Sequence, residues 1–407
     1  MISLKCVVKH YDWGEIGRKS FVAKLLMTQN EPINEKLPYA ELWMGTHKSG
    51  PSTVCDLSPE FNNQSLAKLL ELWPEFLGTI NLYKKYGKKL PFLFKVLSVG
   101  KPLSIQVHPD KPLAAELNAT KPNLYPDSNH KPEMAIAMTK FYALAYFRPH
   151  NEIIKYLEEF SDLRDVVGEE ACAEYFQSDE ANKREALKKC FSMLMKASPE
   201  KVKEKLQSLV SIAETRQSPD LSMFLWIVRF YPDDVGCLAF FFLNVVELNP
   251  NEALYIDVRE PHCYINGNCL EIMAESDNVI RAGLTPKFKD VELLCECLTY
   301  EPRRPEEFVI KPRTVDRYTS EYIPPAEEFA IEKIHVPEAS SLGGYASHTA
   351  ESKSSGSIIL VLKCLEAKCS DDIHLKSGKI YFYPAGLKLD ISQIKGELTL
   401  YRAFVRE

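Results

Sequence analysis

The hydrophobic pattern of this chain changes period twice, and this change constrains the fold more than any other feature. Short strand-like runs, such as residues 92–97, fill residues 1–150. From residue 151 to about 231, apolar residues such as Ile153 and Leu157 recur at helical spacing instead. Strand-like runs return from Phe240 to the end. The pattern predicts a mainly β protein that is interrupted by one helical insertion of roughly 80 residues.

Start signals support helices inside the insertion. Ser198-Pro199 combines a favoured N-cap residue with proline at the first helical position. Ser218-Pro219 repeats the same combination. The sequence therefore predicts that separate helices begin at both places.

The strand-like segments on either side of the insertion predict antiparallel barrels or jelly rolls, because short strands recur at close spacing. Residues 248–262 contain a turn, a strand and a second turn with proline. Residues 375–386 contain the same order. This partial repeat suggests two related barrels.

Charge and cysteine content exclude several classes of protein. The formal net charge of −6 gives no basic surface for nucleic acid. No apolar run approaches the length of about 18 residues that a membrane-spanning helix needs. The 11 cysteines are scattered without a CxxC pair, which is typical of a reducing compartment without zinc fingers. The first residues also lack a signal-peptide pattern, so we expect a cytoplasmic protein that binds neither nucleic acid nor membrane.

One predicted strand carries the first candidate site. Gln106 and His108 are two residues apart, so they share a strand face with Ser104, whereas Ile105 and Val107 point to the other face. Polar groups on an inward face need partners. They form either a hydrogen-bonded pair at a barrel mouth or part of a metal site, since histidine is the commonest metal ligand.

Two further segments carry similar pairs. Lys131 and Glu133 share a face beside Pro132, which favours an edge or the start of a strand. The alternative for this pair is an exposed salt-bridged turn. His262 and Tyr264 share a face immediately after a proline turn, and a lone histidine at such a place is more often structural than a ligand.

Residues 276–288 carry the fourth candidate. Asp277 and Arg281 share a strand face, and Lys287 follows a Gly and Pro turn. Arginine and lysine this close together suit phosphate capture. The alternative is an ordinary surface ion pair.

Taken together and in this order, these segments resemble type I mannose-6-phosphate isomerase, also called phosphomannose isomerase. The matching stretches are Tyr11-Asp-Trp-Gly, Tyr39 to His47, Leu90 to Ser98, Leu103 to Pro112, Asn129 to Ala135, and Ser276 to Asp290. They span most of the chain outside the helical insertion and the C-terminal part.

The resemblance implies a mainly β fold of two cupin-type jelly-roll barrels with an inserted α-helical domain. Residues 1–150 would form the N-terminal cupin region with the metal site, and residues 151–236 the helical insertion. Residues 237–330 would complete the catalytic cupin, and residues 331–407 would supply C-terminal cupin elements.

The family also implies one zinc ion (Zn2+) per chain. Carried over residue by residue, its four ligands are Gln106, His108, Glu133 and His262. Zinc commonly takes histidine nitrogen and carboxylate oxygen, whereas a glutamine oxygen is less usual. The ligand types alone would also permit iron or manganese, so zinc is an implication of the resemblance.

The implied reaction interconverts mannose 6-phosphate and fructose 6-phosphate by proton transfer between C2 and C1 through an enediol. Arg281 falls on the family's catalytic arginine. The proton carrier is open among Lys131, Glu271 and Asp277, with His130 as a further possibility. The expected substrate-binding residues are Lys95, Ser104, His130, Tyr264 and Lys287.

Two rival functions remain open at this point: a sugar-phosphate-binding bicupin without activity, and an iron-dependent cupin oxygenase. The complete set of pocket residues disfavours the first, and the cationic phosphate environment disfavours the second. The family suggests a monomer that supplies mannose phosphates for GDP-mannose and glycan precursors. Two departures from its pattern are Tyr146, where many members have glycine, and the turn Ile256-Asp-Val-Arg.

Overall fold

The computed structural model describes residues 1–58, 60–338, 344–370 and 373–406, which form two β-sheets, a central helical segment and several shorter helices outside that segment. The strands are β1 Ile2–Lys5, β2 Val7–Lys9, β3 Glu41–Met44, β4 Thr53–Cys55, β5 Phe92–Val99, β6 Ile105–Val107, β7 Glu133–Ala137, β8 Phe141–Phe147, β9 Leu243–Leu248, β10 Ala253–Ile256, β11 His262–Ala274, β12 Ile280–Gly283, β13 Val309–Ile310, β14 Arg313–Thr314, β15 Thr319–Tyr322, β16 Ala330–Val336, β17 Ala346–Ala350, β18 Ser357–Cys369, β19 Ile373–His374, β20 Ile380–Tyr383 and β21 Leu389–Phe404.

Helices are concentrated in the middle of the chain. The α-helices are α1 Phe21–Thr28, α2 Leu66–Leu72, α3 Ile80–Tyr86, α4 Lys111–Thr120, α5 His150–Glu159, α6 Ser161–Val167, α7 Glu169–Gln177, α8 Lys183–Met195, α9 Pro199–Arg216, α10 Pro219–Phe230 and α11 Val291–Cys297. The short 3-10 helices are Gly17–Lys19, Pro74–Leu77, Val235–Phe241 and Pro305–Glu307. No helix among the described residues is long and apolar enough to cross a membrane.

The helical segment predicted from the hydrophobic period is confirmed as α5 to α10. Its α9 begins at the predicted Ser198-Pro199 signal, where the Ser198 side chain accepts a hydrogen bond from the backbone N–H of Lys201. That cap satisfies one of the N–H groups that a helix start leaves without a partner. The prediction that a helix begins at Ser218-Pro219 is also confirmed, by α10.

The strands form two antiparallel sheets. Hydrogen-bonded neighbours in the first follow the order β14-β15-β16-β21-β18-β20-β1-β4, with β17 on β21 and β19 on β18. The second follows β13-β10-β7-β11-β5-β3-β2 and also includes β6, β8, β9 and β12. Because β1 pairs with both β20 and β4, the first sheet combines strands from both ends of the sequence.

The long strand β11 organises the second sheet around the candidate site. It pairs with β5, β6, β7 and β8. His262 lies opposite Gln106, and Glu271 lies opposite Lys95. One strand therefore brings segments that are far apart in sequence to the same place.

The helical insertion packs against the apolar face of β6. Ile105 and Val107 on β6 are fully buried in the same apolar cluster as Leu157 of α5 and Leu206 of α9. Alternation along the strand leaves Gln106 on the opposite face. The predicted two-faced strand is confirmed, and burial of its apolar face against the insertion fixes the direction of its polar face.

Candidate metal centre

Three of the ligands predicted from the sequence lie close together on or beside strands β6, β7 and β11 of the second sheet. His108 follows β6, Glu133 begins β7 and His262 begins β11. One ligand atom from each lies within 4.8 Å of the others, and all three residues are buried. Gln106 completes the group, because its Nε2 lies 3.2 Å from Nε2 of His262.

Backbone carbonyl groups orient both imidazole rings. His108 Nδ1 lies 2.8 Å from the carbonyl oxygen of Asn278, and His262 Nδ1 lies 3.1 Å from that of Glu260. A carbonyl only accepts, so each Nδ1 carries the proton and donates it. The Nε2 lone pairs are thereby directed toward Glu133, as in histidines that bind metals.

The electrostatics of this group fit a cation. His108 Nε2 lies 3.2 Å from Glu133 Oε1, and His262 Nε2 lies 3.5 Å from Glu133 Oε2. Burial and the nearby Lys131 lower the pKa of His108 to about 3, so its imidazole is neutral.

The lone pair on Nε2 of His108 therefore faces the carboxylate oxygens of Glu133 with no proton between them. Among the described residues, Nε2 of His108 and Oε2 of Glu133 have no hydrogen-bond partner. Buried polar atoms in proteins almost always have one. A divalent cation would satisfy both atoms.

Lys131 lies beside the group. Its ammonium nitrogen is 3.0 Å from Glu133 Oε1, and only 7% of the residue is exposed. Burial raises the pKa of Glu133, but the ammonium group of Lys131 outweighs it and holds that pKa well below the ordinary value. Glu133 is therefore an anion, which is the state that a metal ligand requires.

A pocket of about 220 Å³ opens above this group. The sequence-predicted residues that line it are Lys95, Ser104, Gln106, Lys131, Glu133, Tyr264, Glu271, Asp277, Arg281 and Lys287. His130 lies outside this lining, with its Nε2 2.8 Å from Glu328 Oε1. Burial and the carboxylates of Glu271 and Glu133 hold the pKa of Tyr264 well above its ordinary value, so its phenol stays protonated.

A buried ionic group forms one wall of the pocket. Lys95 Nζ lies 2.8 Å from Glu271 Oε2 and 3.7 Å from Glu41 Oε2. Trp43 Nε1 donates a hydrogen bond to the same Glu41 oxygen. Burial raises the pKa of Glu271, although Lys95 opposes the shift. Burial lowers the pKa of Lys95, but both carboxylates outweigh it and keep this pKa above its usual value.

Glu41 and Trp43 were assigned no role from the sequence, although both lie in a stretch that carries the resemblance. They alternate on β3, and Trp43 lies opposite Lys95 in the β3–β5 register. That register was the missing signal, because period-2 alternation shows which residues share a face and not which strand lies beside them.

Asp277 is held by His47 and Ser49, which sequence reasoning also missed. His47 Nδ1 accepts a hydrogen bond from the Ser49 N–H, so Nε2 carries the proton and faces Asp277 Oδ1 at 3.3 Å. The Ser49 hydroxyl donates to Asp277 Oδ2 at 3.3 Å. The hydrogen bond from His47 is the main reason that the pKa of Asp277 lies below its usual value.

The pocket rim carries two cations close together. Neither Arg281 nor Lys287 forms an ion pair within the described ranges, in contrast to Lys95 and Lys131. Burial lowers the pKa of both, and Arg281 lowers that of Lys287 further. Lys287 Nζ also lies 5.2 Å from the centre of the Tyr11 ring. The rim therefore offers a local positive charge to an anion.

Comparisons with known proteins agree with the resemblance seen in the sequence. The family model of the type I phosphomannose isomerase catalytic domain matches residues 1–150, and that of its helical insertion domain matches residues 165–243. Mannose-6-phosphate isomerase 1 of Arabidopsis thaliana is 39% identical over 98% of this chain and 93% of its own. The mannose-6-phosphate isomerase of Schizosaccharomyces pombe is 39% identical over 99% of each chain.

Solved structures with the same fold are similar over the whole chain. A mutant of phosphomannose isomerase from Salmonella typhimurium is 29% identical with a TM-score of 0.86, covering 100% of both chains. A zinc-bound mannose 6-phosphate isomerase is also 29% identical with a TM-score of 0.84, covering 100% of this chain and 99% of that one.

Proposed function

The chain belongs to the type I phosphomannose isomerase family, and we propose that it interconverts mannose 6-phosphate and fructose 6-phosphate by moving a proton between C2 and C1. One observation carries this proposal: His108, Glu133 and His262 converge beneath a pocket with an unpaired cationic rim. An aldose and its ketose have the same oxidation state overall, so the reaction needs no redox cofactor.

The metal proposed for this site is zinc, held by His108, Glu133, His262 and Gln106. Two neutral imidazoles, an amide and one carboxylate would leave a divalent ion with a net positive charge. When bound, zinc stabilises negative charge that develops on the sugar oxygens during enolisation.

The Gln106 amide can serve as a ligand after a simple rotation. The Ser104 hydroxyl donates to Gln106 Oε1 at 3.3 Å, and Gln106 Nε2 faces His262. Rotating the terminal amide by half a turn exchanges its oxygen and nitrogen. Because a serine hydroxyl can donate or accept, Ser104 satisfies either orientation.

We assign the proton transfer to Glu271. A general base that works at neutral pH benefits from a pKa above that of an ordinary carboxyl group, and burial raises the pKa of Glu271 above its usual value, although Lys95 opposes the shift. Asp277 is less suited, since its hydrogen bonds from His47 and Ser49 stabilise the anion. Lys131 is the remaining competitor, with its ammonium already held by Glu133.

The phosphate of the substrate is assigned to the rim. Arg281 and Lys287 are the pocket cations without a carboxylate partner within the described ranges. A phosphate would supply the missing negative charge, and arginine can bind it through two hydrogen bonds. Arg281 lies opposite Gln106 in the β6–β12 register, so it can also face the reacting end of the sugar.

The two sheets are proposed to be the two cupin-type jelly-roll barrels that the family implies. In that description, residues 1–150 and 237–330 supply the catalytic barrel, residues 151–236 form the inserted helical domain, and residues 331–407 contribute the second barrel. The pairing of β1 and β4 with the C-terminal strands gives residues 1–150 a share in that second barrel.

A cytoplasmic, monomeric enzyme is proposed as well. The 11 cysteines are scattered without a CxxC pair, which suits a reducing compartment. Light scattering on the purified enzyme would test the monomer, and fractionation of cells would test the location.

The experiment that tests the function is a coupled assay for fructose 6-phosphate formation, with and without a chelator. We expect turnover in the metal-replete protein and its loss after complete metal removal, verified by elemental analysis. A metal-replete protein without turnover would favour a sugar-phosphate-binding protein instead. His108→Ala and Gln106→Ala should lower both metal content and activity.

A further inference from the structure

Tyr146 has a backbone conformation that a tyrosine rarely adopts. It lies on β8, next to Ala145, which pairs with His262. Its φ is +55°, in the left-handed region that favours glycine. A bulky side chain is retained at such a position only when the surrounding contacts hold it there.

The contacts of Tyr146 meet both ends of one turn. Its hydroxyl accepts a hydrogen bond from the Asp257 N–H at 3.0 Å and donates to the Tyr255 carbonyl at 3.2 Å. Its own backbone N–H donates to the Pro261 carbonyl at 2.9 Å. Tyr146 therefore holds the start and the end of residues 257–261, which connect β10 to β11.

The ring that carries this hydroxyl is fixed by packing. Tyr146 is fully buried and stacks on Phe308 with ring centroids 4.3 Å apart and planes at 20°. The Arg303 guanidinium lies 5.2 Å from the ring centroid. A fixed ring places the hydroxyl without a further loss of rotamer freedom.

This turn contacts the two histidine ligands, and the β10 residue that precedes it lies opposite the glutamate ligand. Its Glu260 carbonyl accepts the hydrogen bond that orients His262. Its Arg259 N–H donates to the His108 carbonyl at 2.7 Å. Ile256, at the edge of the turn, lies opposite Glu133 in the β7–β10 register.

We propose that Tyr146 is a positioning residue for the metal centre, which acts by holding the turn 257–261 against the three ligand-bearing strands. A glycine at position 146 could adopt the same φ, but it would have no hydroxyl for Tyr255 and Asp257. The inference rests on the proposed metal site.

The test compares Tyr146→Phe with Tyr322→Phe in the zinc-loaded protein. Tyr322 is also fully buried, and its hydroxyl donates to the Asn251 carbonyl at 2.8 Å, at the far end of β10. Both variants lose one buried hydroxyl and keep the ring. The measurements are the rate of zinc release to an excess of a chromogenic chelator and the visible spectrum of the cobalt-substituted protein.

We expect Tyr146→Phe to weaken zinc retention by about 10- to 100-fold, as for other residues that orient metal ligands, and to alter the cobalt spectrum. Tyr322→Phe should lower the unfolding temperature while leaving both metal readouts at wild-type values. Wild-type zinc release from Tyr146→Phe would overturn the proposal. Equal losses of zinc from both variants would also overturn it, since they would reflect general destabilisation.

The same experiment separates this inference from the proposed function. A wild-type protein that retains no zinc would overturn the metal site and, with it, the role of Tyr146. A wild-type protein that retains zinc while Tyr146→Phe releases it at the same rate overturns the role of Tyr146 alone.

Discussion

Replacing Lys95 with methionine should destabilise the protein strongly, because it leaves two carboxylates without their shared cation. Lys95 is 6% exposed, and its partners Glu271 and Glu41 are 3% and 7% exposed. Methionine preserves the length and apolar part of the side chain, so the change removes mainly the charge. The perturbation therefore tests the electrostatic role of Lys95 with little change in packing.

The size of the effect follows from the distance between Lys95 and Glu271 and from the burial of both side chains. At 2.8 Å from Glu271 Oε2, the attraction is about 6 kcal/mol for an effective dielectric constant of about 20. The desolvation cost of the lysine, which the variant no longer incurs, offsets part of that loss. Removing one partner of a buried pair typically costs about 3–5 kcal/mol, and we expect a loss in this range.

Lys205→Met is the matched control. Lys205 also has several carboxylate partners, at 2.6 Å from Asp165, 3.3 Å from Asp162 and 3.8 Å from Glu204. These groups lie at the surface of the helical insertion, where salt bridges contribute about 0–1 kcal/mol. The free energy of unfolding, measured by urea titration with fluorescence and circular dichroism, should therefore fall by at most about 1 kcal/mol in this variant.

The loss in Lys95→Met should also depend on pH. Burial already raises the pKa of Glu271, and removal of Lys95 raises it further. A carboxyl group with a raised folded-state pKa contributes stability below its unfolded pKa of about 4.3 and loses it as pH rises through the folded value. Lys95→Met should therefore be less destabilised near pH 5 than near pH 8. Similar losses for the two lysine variants, or no change with pH, would refute this reasoning.

Three further variants test the roles assigned inside the pocket. Glu271→Gln should lower kcat by about 100-fold or more with zinc content unchanged; an unchanged kcat in the coupled assay would remove Glu271 as the proton carrier. Arg281→Ala should reduce kcat and spare zinc, as elemental analysis would check, and loss of zinc would mean that the residue supports the metal site instead. Lys287→Ala should raise KM for mannose 6-phosphate by about tenfold through a lost charge-assisted contact, and an unchanged KM would place the phosphate elsewhere.

The spacing of apolar residues along the chain was enough to predict part of the fold. The strand and helix periods predicted the helical segment, and the alternation at Ile105, Gln106 and Val107 predicted which side of β6 is buried. These features depend on neighbours along the chain, because side-chain direction repeats within a few residues. They could be predicted without knowledge of which strands pair.

Pairing across long separations could not be derived in the same way. The first sheet joins β1 to β20, and β3 lies beside β5. Strand register depends on the whole set of packed faces, so the Glu41–Lys95 and His47–Asp277 contacts became visible only in the folded chain.

The predicted ligands depended on the resemblance for their assembly. Spacing alone left Gln106 and His108 open between a structural pair and a metal site. What orients the histidines is the carbonyl groups of Asn278 and Glu260. Backbone atoms carry no sequence signature, so this part of the site could not be predicted from residue types.

Tyr146 illustrates the same limit. From the sequence, Tyr146 was identified only as an expected departure from the family pattern, because its φ and its contacts with residues 255–261 depend on the folded chain. Neither Tyr146 nor the turn 257–261 is among the predicted metal ligands, yet the turn contacts the ligands His108 and His262. The predicted role of His130 in substrate binding stays a prediction. In the structure, Nε2 of His130 lies beside Oε1 of Glu328.

The proposed isomerase activity depends on one metal ion held by His108, Glu133, His262 and Gln106. The most direct measurement titrates zinc into metal-stripped protein and determines bound zinc and fructose 6-phosphate formation on the same samples. We predict that turnover rises in proportion to bound zinc and levels off at one ion per chain. Full turnover in protein verified to contain no metal would contradict the claim.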